Sequence, residues 1–266
     1  MKKIFNPGTI PFIVCGSGIV GILLRIWTFG DGEDKFGLYP RMTLAWWALG
    51  LFSALVVAAV VFSLRSLDGA ETHSENYNRS IIGGIGYFLV GAAMIYCSYQ
   101  QSQGLMNGAT DLITVYAGYA AGAVMIALEV FRILGKKPFF MLHGFVCLYL
   151  GLRLFNHCHV WSNEPQIGVI IAPFLASIVL MLVMYHRTCF DVDMGNPSKY
   201  MMFSMVGVYL CLVSTQSFEE VVLYAAWIVW LMSNQCKVRP LSQVENGAPG
   251  GDLEDGQKEQ NSLAEE

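Results

Sequence analysis

Charge is what this chain has least of. Of its 266 residues, 14% are Asp, Glu, Lys or Arg, against about 25% in an average soluble domain. A soluble surface needs roughly 25–35% charged side chains, so the shortage excludes a soluble enzyme. With 16 basic against 20 acidic residues the chain is no basic nucleic-acid binder either. The seven cysteines (15, 97, 147, 158, 189, 211 and 236) are odd in number and contain no C-x-x-C pair. Neither a zinc site nor a disulfide framework is indicated, and a thiol inside an apolar helix behaves as a small apolar group. The sequence also lacks G-x-x-x-x-G-K-[ST], H-E-x-x-H and G-x-S-x-G. ATP binding by a P-loop, zinc-protease chemistry and a nucleophile elbow fall away with them.

What the chain does have is apolar length: 55% of it is hydrophobic and 13% aromatic. About 20 mostly apolar residues cross the roughly 30 Å of bilayer hydrocarbon as a helix. Six segments meet that standard, at 10–29, 42–64, 80–99, 112–134, 138–157 and 169–186. The region 199–233 divides at Ser214-Thr215-Gln216-Ser217 and Glu219-Glu220 into shorter stretches, 200–215 and 218–233. Read as a tight hairpin they give eight spans; one long helix with a re-entrant turn gives seven. The expected fold is therefore an all-α polytopic transmembrane bundle over residues 1–235. Gly16-Ser17-Gly18-Ile19-Val20-Gly21 spells G-x-G-x-x-G inside the first span, without a preceding strand. It reads as a small-residue packing face, as do Gly118 with Gly122 and the glycines at 83, 84, 86 and 91.

Basic residues orient the bundle, because Lys and Arg are retained on the cytoplasmic side. With the N-terminus inside and eight spans, the inner side holds twelve: Lys2, Lys3, Arg65, Arg79, Arg132, Lys136, Lys137, Arg187, Lys199, Lys237, Arg239 and Lys258. The outer loops hold Lys35 and Arg41. Seven spans would leave Lys237 and Arg239 outside, so eight spans with both termini cytoplasmic is the better reading. Lys2-Lys3 and the following apolar run lack a small-x-small cleavage site, which makes them an uncleaved first helix. Before Cys236 acids and bases balance; the segment 236–266 carries the whole net charge of −4 and is expected to be a disordered acidic cytoplasmic tail.

Ionisable groups within spans are costly and need partners. Glu129 stands three residues before Arg132 near an inner helix end, where a structural i,i+3 ion pair forms. Arg25, Arg153, Glu219 and Glu220 share the outer level, with His157 and His159 just above them. The simpler reading, preferred from sequence, lets Arg25 and Arg153 snorkel to the headgroups while the glutamates sit in water at the hairpin turn. The alternative turns Arg153 inward to pair with Glu219 or Glu220 and line a polar cavity. His143 and His157 lie about 21 Å apart along one helix, but no second helix carries the matching pair that two haems would need. His157-Cys158-His159 could converge on a metal only in an unwound helix end, and no third ligand group is evident. Neither a cofactor nor a metal is expected.

Two resemblances arise. Glu219-Glu220 and Phe139-Phe140-Met141-Leu142-His143 are similar to motifs of the intramembrane CAAX-type glutamate proteases. The arginine of that family is replaced by Tyr224, the motif order is reversed and a further histidine motif is missing. The first hairpin, Leu24-Arg25-Ile26-Trp27 through Asp34-Lys35-Phe36-Gly37-Leu38-Tyr39-Pro40, resembles uncharacterised multi-pass membrane proteins of clostridia-like Gram-positive bacteria. That likeness covers about 17 residues and implies a bacterial cell membrane but no substrate. The expected role is to bind or move a small solute, or to serve as a partner subunit of another membrane protein, with the lipid bilayer as surroundings. The alternatives are a membrane-embedded enzyme using His157, His159, Glu219 and Glu220, and a sensor or assembly factor.

Overall fold

The apolar segments fold as helices in the computed structural model. It describes residues 9–30, 44–65, 67–69, 81–103, 109–134, 136, 139–161, 167–215, 217–235 and 238–240. At 29–30, 67–69, 81–82, 109–110, 157–161, 167–170 and 238–240 it describes the backbone alone. Among these residues there are eight helices: α1 (Ile10–Gly30), α2 (Leu44–Leu64), α3 (Ile81–Gln103), α4 (Ala109–Ile133), α5 (Leu142–Trp161), α6 (Ile167–Asp191), α7 (Pro197–Ser214) and α8 (Phe218–Ser233). Four stretches are long and apolar enough to cross a bilayer: Ile10–Thr28, Leu44–Leu64, Asp111–Ile133 and Ile171–Asp191. Leu44, Leu51, Leu55 and Phe62 on α2 are mostly exposed. An outer surface so apolar belongs against lipid, and with these helix lengths it marks a membrane protein.

The break between α7 and α8 is built from local chemistry. Asn196 caps α7, its side-chain oxygen accepting from the Lys199 N–H at 3.0 Å, with Pro197 in the first turn. Ser217 caps α8 by accepting from the Glu220 N–H at 3.3 Å. Glu219 and Glu220 follow in the first turn, where the helix dipole favours acids. The two helices run antiparallel, since the Tyr200 hydroxyl donates to the Asn234 carbonyl at 3.0 Å. The hairpin, not the single long helix, is what forms.

Helices α3, α4, α5, α6, α7 and α8 pack each against the next, and α8 returns to α3, closing a six-helix ring. Outside it, α1 and α2 pack on each other and on α7. Directions alternate around the ring, as shown by Asn156 of α5 against Asp111 of α4 and by His143 of α5 against Asp191 of α6. Met94, Met125, Leu150, Leu180, Trp227 and Trp230 are fully buried and make an apolar layer halfway along it. Close approach between α3 and α4 is made by Gly91 and Gly122, and α1 meets α7 at Gly18 and Gly21.

Three expectations need correction. Residues 238–240 form a strand, β2 (Val238–Pro240), antiparallel to β1 (Leu67–Gly69), with Asp68 opposite Arg239. The all-α expectation stands apart from this one short ladder, and residues 238–240 pair with β1 where an unstructured tail was expected. The acidic residues 241–266 lie outside the described part. Helix α5 starts at Leu142 rather than 138, after a turn in which the Leu142 N–H donates to the Phe139 carbonyl at 3.0 Å. Helix α6 continues to Asp191 rather than stopping at 186, because Arg187 and Asp191 find partners inside the bundle instead of in water.

Candidate functional site

At one end of the ring, side chains from four helices line a half-open cavity of about 330 Å³. Helix α5 contributes Tyr149, Arg153 and Asn156, whose i, i+4, i+7 spacing puts them on one face. From α4 come Asp111 and Thr114, from α3 Cys97 and Gln101, and from the start of α8 Ser217, Glu219 and Glu220. Most of these positions lie within two turns of a helix end, so the cavity sits at the mouth of the ring.

Arg153 is the centre of the wall. Its Nη2 lies 3.7 Å from Glu220 Oε1, with side-chain exposures of 13% and 9%. It also reaches the Tyr149 hydroxyl and lies 6.0 Å over the ring of Tyr224. At 3.7 Å the pair is charge–charge attraction without a short hydrogen bond between those two atoms. Opposite, the Asn156 side-chain N–H₂ donates to Thr114 Oγ1 at 2.8 Å and to Asp111 Oδ1 at 3.2 Å, tying α4 to α5 at the rim. The Cys97 thiol donates to the Glu219 carbonyl at 3.5 Å, tying α3 to α8.

Arg25 comes from outside the ring. It is 7% exposed, donates to the Val213 carbonyl at the end of α7 and adds a positive field at Glu220. The snorkelling expectation therefore does not hold for either arginine. Arg25 finds a carbonyl acceptor and Arg153 finds a carboxylate, a hydroxyl and an aromatic face, which together replace the water each guanidinium gives up. Glu219 and Glu220 part company: Glu220 is buried beside Arg153, whereas Glu219 is exposed at the mouth. The side chains of His157 and His159 lie outside the described residues, as does the loop from 31 to 43 that carries most of the first-hairpin resemblance. Among the described residues no group of three His, Cys, Asp or Glu side chains could hold a metal ion.

A second polar layer occupies the opposite end. Arg132 donates to Glu129 at 2.8 Å, and its guanidinium lies 5.8 Å over the Tyr87 ring. Arg187, fully buried, donates through Nε to the Tyr87 hydroxyl at 3.2 Å. His143 Nδ1 lies 3.4 Å from Asp191 Oδ2. His143 is thus at the far end from Glu220, an arrangement that gives the glutamate-protease likeness no common site.

Sequence reasoning missed Asp111, Thr114, Tyr149 and Asn156 in the cavity wall, and Tyr87, Arg187 and Asp191 at the other end. The stripe 149, 153, 156 was readable from helical spacing alone. Asp111 looked like a loop residue because it precedes the apolar run of α4. Compared with protein-family models, with curated proteins and with solved structures, the chain finds no match in any of the three.

Proposed function

We propose that this chain is a multi-pass cell-membrane protein that binds a small polar solute, as receptor or carrier, in the cavity around Arg153. The carrying observation is the half-open cavity of about 330 Å³, near the lower bound for small-molecule sites. Its wall combines acceptors, donors and one largely buried guanidinium, set off from the polar layer at the other end by an apolar middle. Ionisable groups within a membrane helix bundle that face a cavity mark a solute or ion path by default. The two polar ends are separated by the layer of Trp227, Trp230, Met94 and Leu180, so the cavity has access from one face.

That face is the outer one in an eight-span topology with cytoplasmic termini. The twelve-to-two distribution of basic residues supports it. So does the β1–β2 ladder, which brings the segment after α8 to the α2–α3 connection; an even number of crossings between them is what an eight-span chain requires. A reporter fused after Gln235 is expected to be active only in a form that works in the cytoplasm. An extracytoplasmic signal would reduce the span count.

Access is tested at Cys97, which lines the cavity. With the other six cysteines replaced, a small membrane-impermeant methanethiosulfonate applied outside intact cells is expected to modify Cys97, and a bulky maleimide is not. Modification only from the cytoplasmic side of inverted vesicles would reverse the assignment. No modification from either side by the small reagent would remove the open cavity.

A further inference from the structure

We propose, resting on the solute site above, that the cavity selects a small organic cation bearing one primary ammonium group over zwitterions and anions of the same size. Among the described residues, one basic and three acidic side chains line it: Arg153 against Asp111, Glu219 and Glu220. Arg153 is engaged by Glu220, by the Tyr149 hydroxyl and by the ring of Tyr224. That leaves Asp111 and, at the mouth, Glu219 lining the same cavity from two different helices. Asp111 accepts one hydrogen bond from Asn156 through Oδ1. Counting Arg25, which acts on Glu220 from behind the wall, there are still three carboxylates to two guanidinium groups.

Backbone dipoles do not reverse this balance. A helix N-terminus carries about +0.5 charge and a C-terminus about −0.5. At this end of the ring the termini are the starts of α4, α6 and α8 and the ends of α3, α5 and α7. Three of each sign offset one another, and the side chains set the potential. An anion entering here meets two carboxylates before it reaches a guanidinium already in use.

Size separates an organic ion from a metal. A volume of about 330 Å³ corresponds to roughly ten water molecules at about 30 Å³ each, far more than one bare cation fills. A cluster of three metal-ligating side chains is absent among the described residues. An ammonium group has three N–H donors and is matched by Asp111, Glu219 and the Ser217 and Thr114 hydroxyls. The phenol ring of Tyr149 supplies apolar surface for a short carbon chain.

The test uses the purified full-length protein in lipid nanodiscs and four probes of equal chain length. These are 4-amino-1-butanol (cation), 4-aminobutanoate (zwitterion), 1,4-butanediol (neutral) and succinate (dianion), each titrated calorimetrically. The cation is expected to bind saturably, at least tenfold tighter than the other three. Asp111→Asn and Glu219→Gln should each weaken it about tenfold, without lowering the thermal unfolding temperature by more than a few degrees. Tighter binding of the zwitterion or of succinate overturns the cation assignment and leaves the solute site standing, whereas binding of none of the four removes both. An affinity unchanged in both variants also overturns the assignment. Independently of any wall variant, a cationic methanethiosulfonate should modify Cys97 at least tenfold faster than an anionic one of the same size. Equal rates, or a faster anion, would count against cation selection.

Discussion

Arg153→Met is expected to lower the stability of the solubilised protein by about 3–5 kcal/mol, the usual cost of breaking a buried ion pair by removing one partner. The cost comes from what is left behind. Glu220, with 9% of its side chain exposed, would lose the guanidinium of α5 that lies beside it. Arg25 softens this, since its field also reaches Glu220, but it is committed to the Val213 carbonyl. The Tyr149 hydroxyl and the face of Tyr224 lose the same cation. Glu220→Met should cost less than Arg153→Met, because Arg153 retains the Tyr149 hydroxyl and the Tyr224 face. The double variant Arg153→Met/Glu220→Met should recover most of the loss, because a buried pair replaced by apolar groups of similar volume is often close to neutral. Thermal unfolding in detergent, followed by tryptophan fluorescence, measures all three. Equal stability of Arg153→Met and the parent would mean that the guanidinium is not desolvated, and the cavity would go with it.

The same pair shows where sequence reading stops. Length and apolar content locate the helices to within a few residues, because the energetic demand on a membrane segment is local and one-dimensional. The start of α8 at Phe218 was readable too, from the polar break that ends in Glu219-Glu220. Which way Arg25 and Arg153 point is not local. The polar stripe 149, 153, 156 marks one face of α5, but a stripe does not say whether that face meets headgroups and water or other helices. Snorkelling and inward pairing then differ only by partners on other helices: Glu220 lies 67 positions beyond Arg153, and Val213 lies 188 beyond Arg25. Arg187 and Asp191 were lost to the same blindness. They look like the polar end of a span until Tyr87 and His143 are brought beside them, and then α6 gains the turn that holds them. Glu129 and Arg132 were readable because their partners lie within one helical turn of each other.

Gly122→Leu is expected to destabilise the bundle by at least the 1–3 kcal/mol typical of overpacking, and Gly144→Ala is not. A Cβ at Gly122 would meet the Gly91 carbonyl oxygen at 2.7 Å, and one at Gly91 would meet the Gly122 carbonyl oxygen at 2.8 Å. Both obstacles are backbone, so no rotamer change relieves them and α3 must move away from α4. That movement reaches the cavity, because Asp111 and Thr114 on α4 and Cys97 and Gln101 on α3 both line it. Gly122→Leu should therefore also accelerate modification of Cys97 by bulky reagents. Gly144 has nothing within 4 Å of the position where a Cβ would stand, so alanine there adds helix propensity of about 0.5–1 kcal/mol without a clash. In sequence Gly122 stands four positions after Gly118, whereas Gly144 has no small partner at that spacing. The facing backbone separates them further, and a pair of variants equal in stability would show that α3 and α4 do not approach through Gly91 and Gly122.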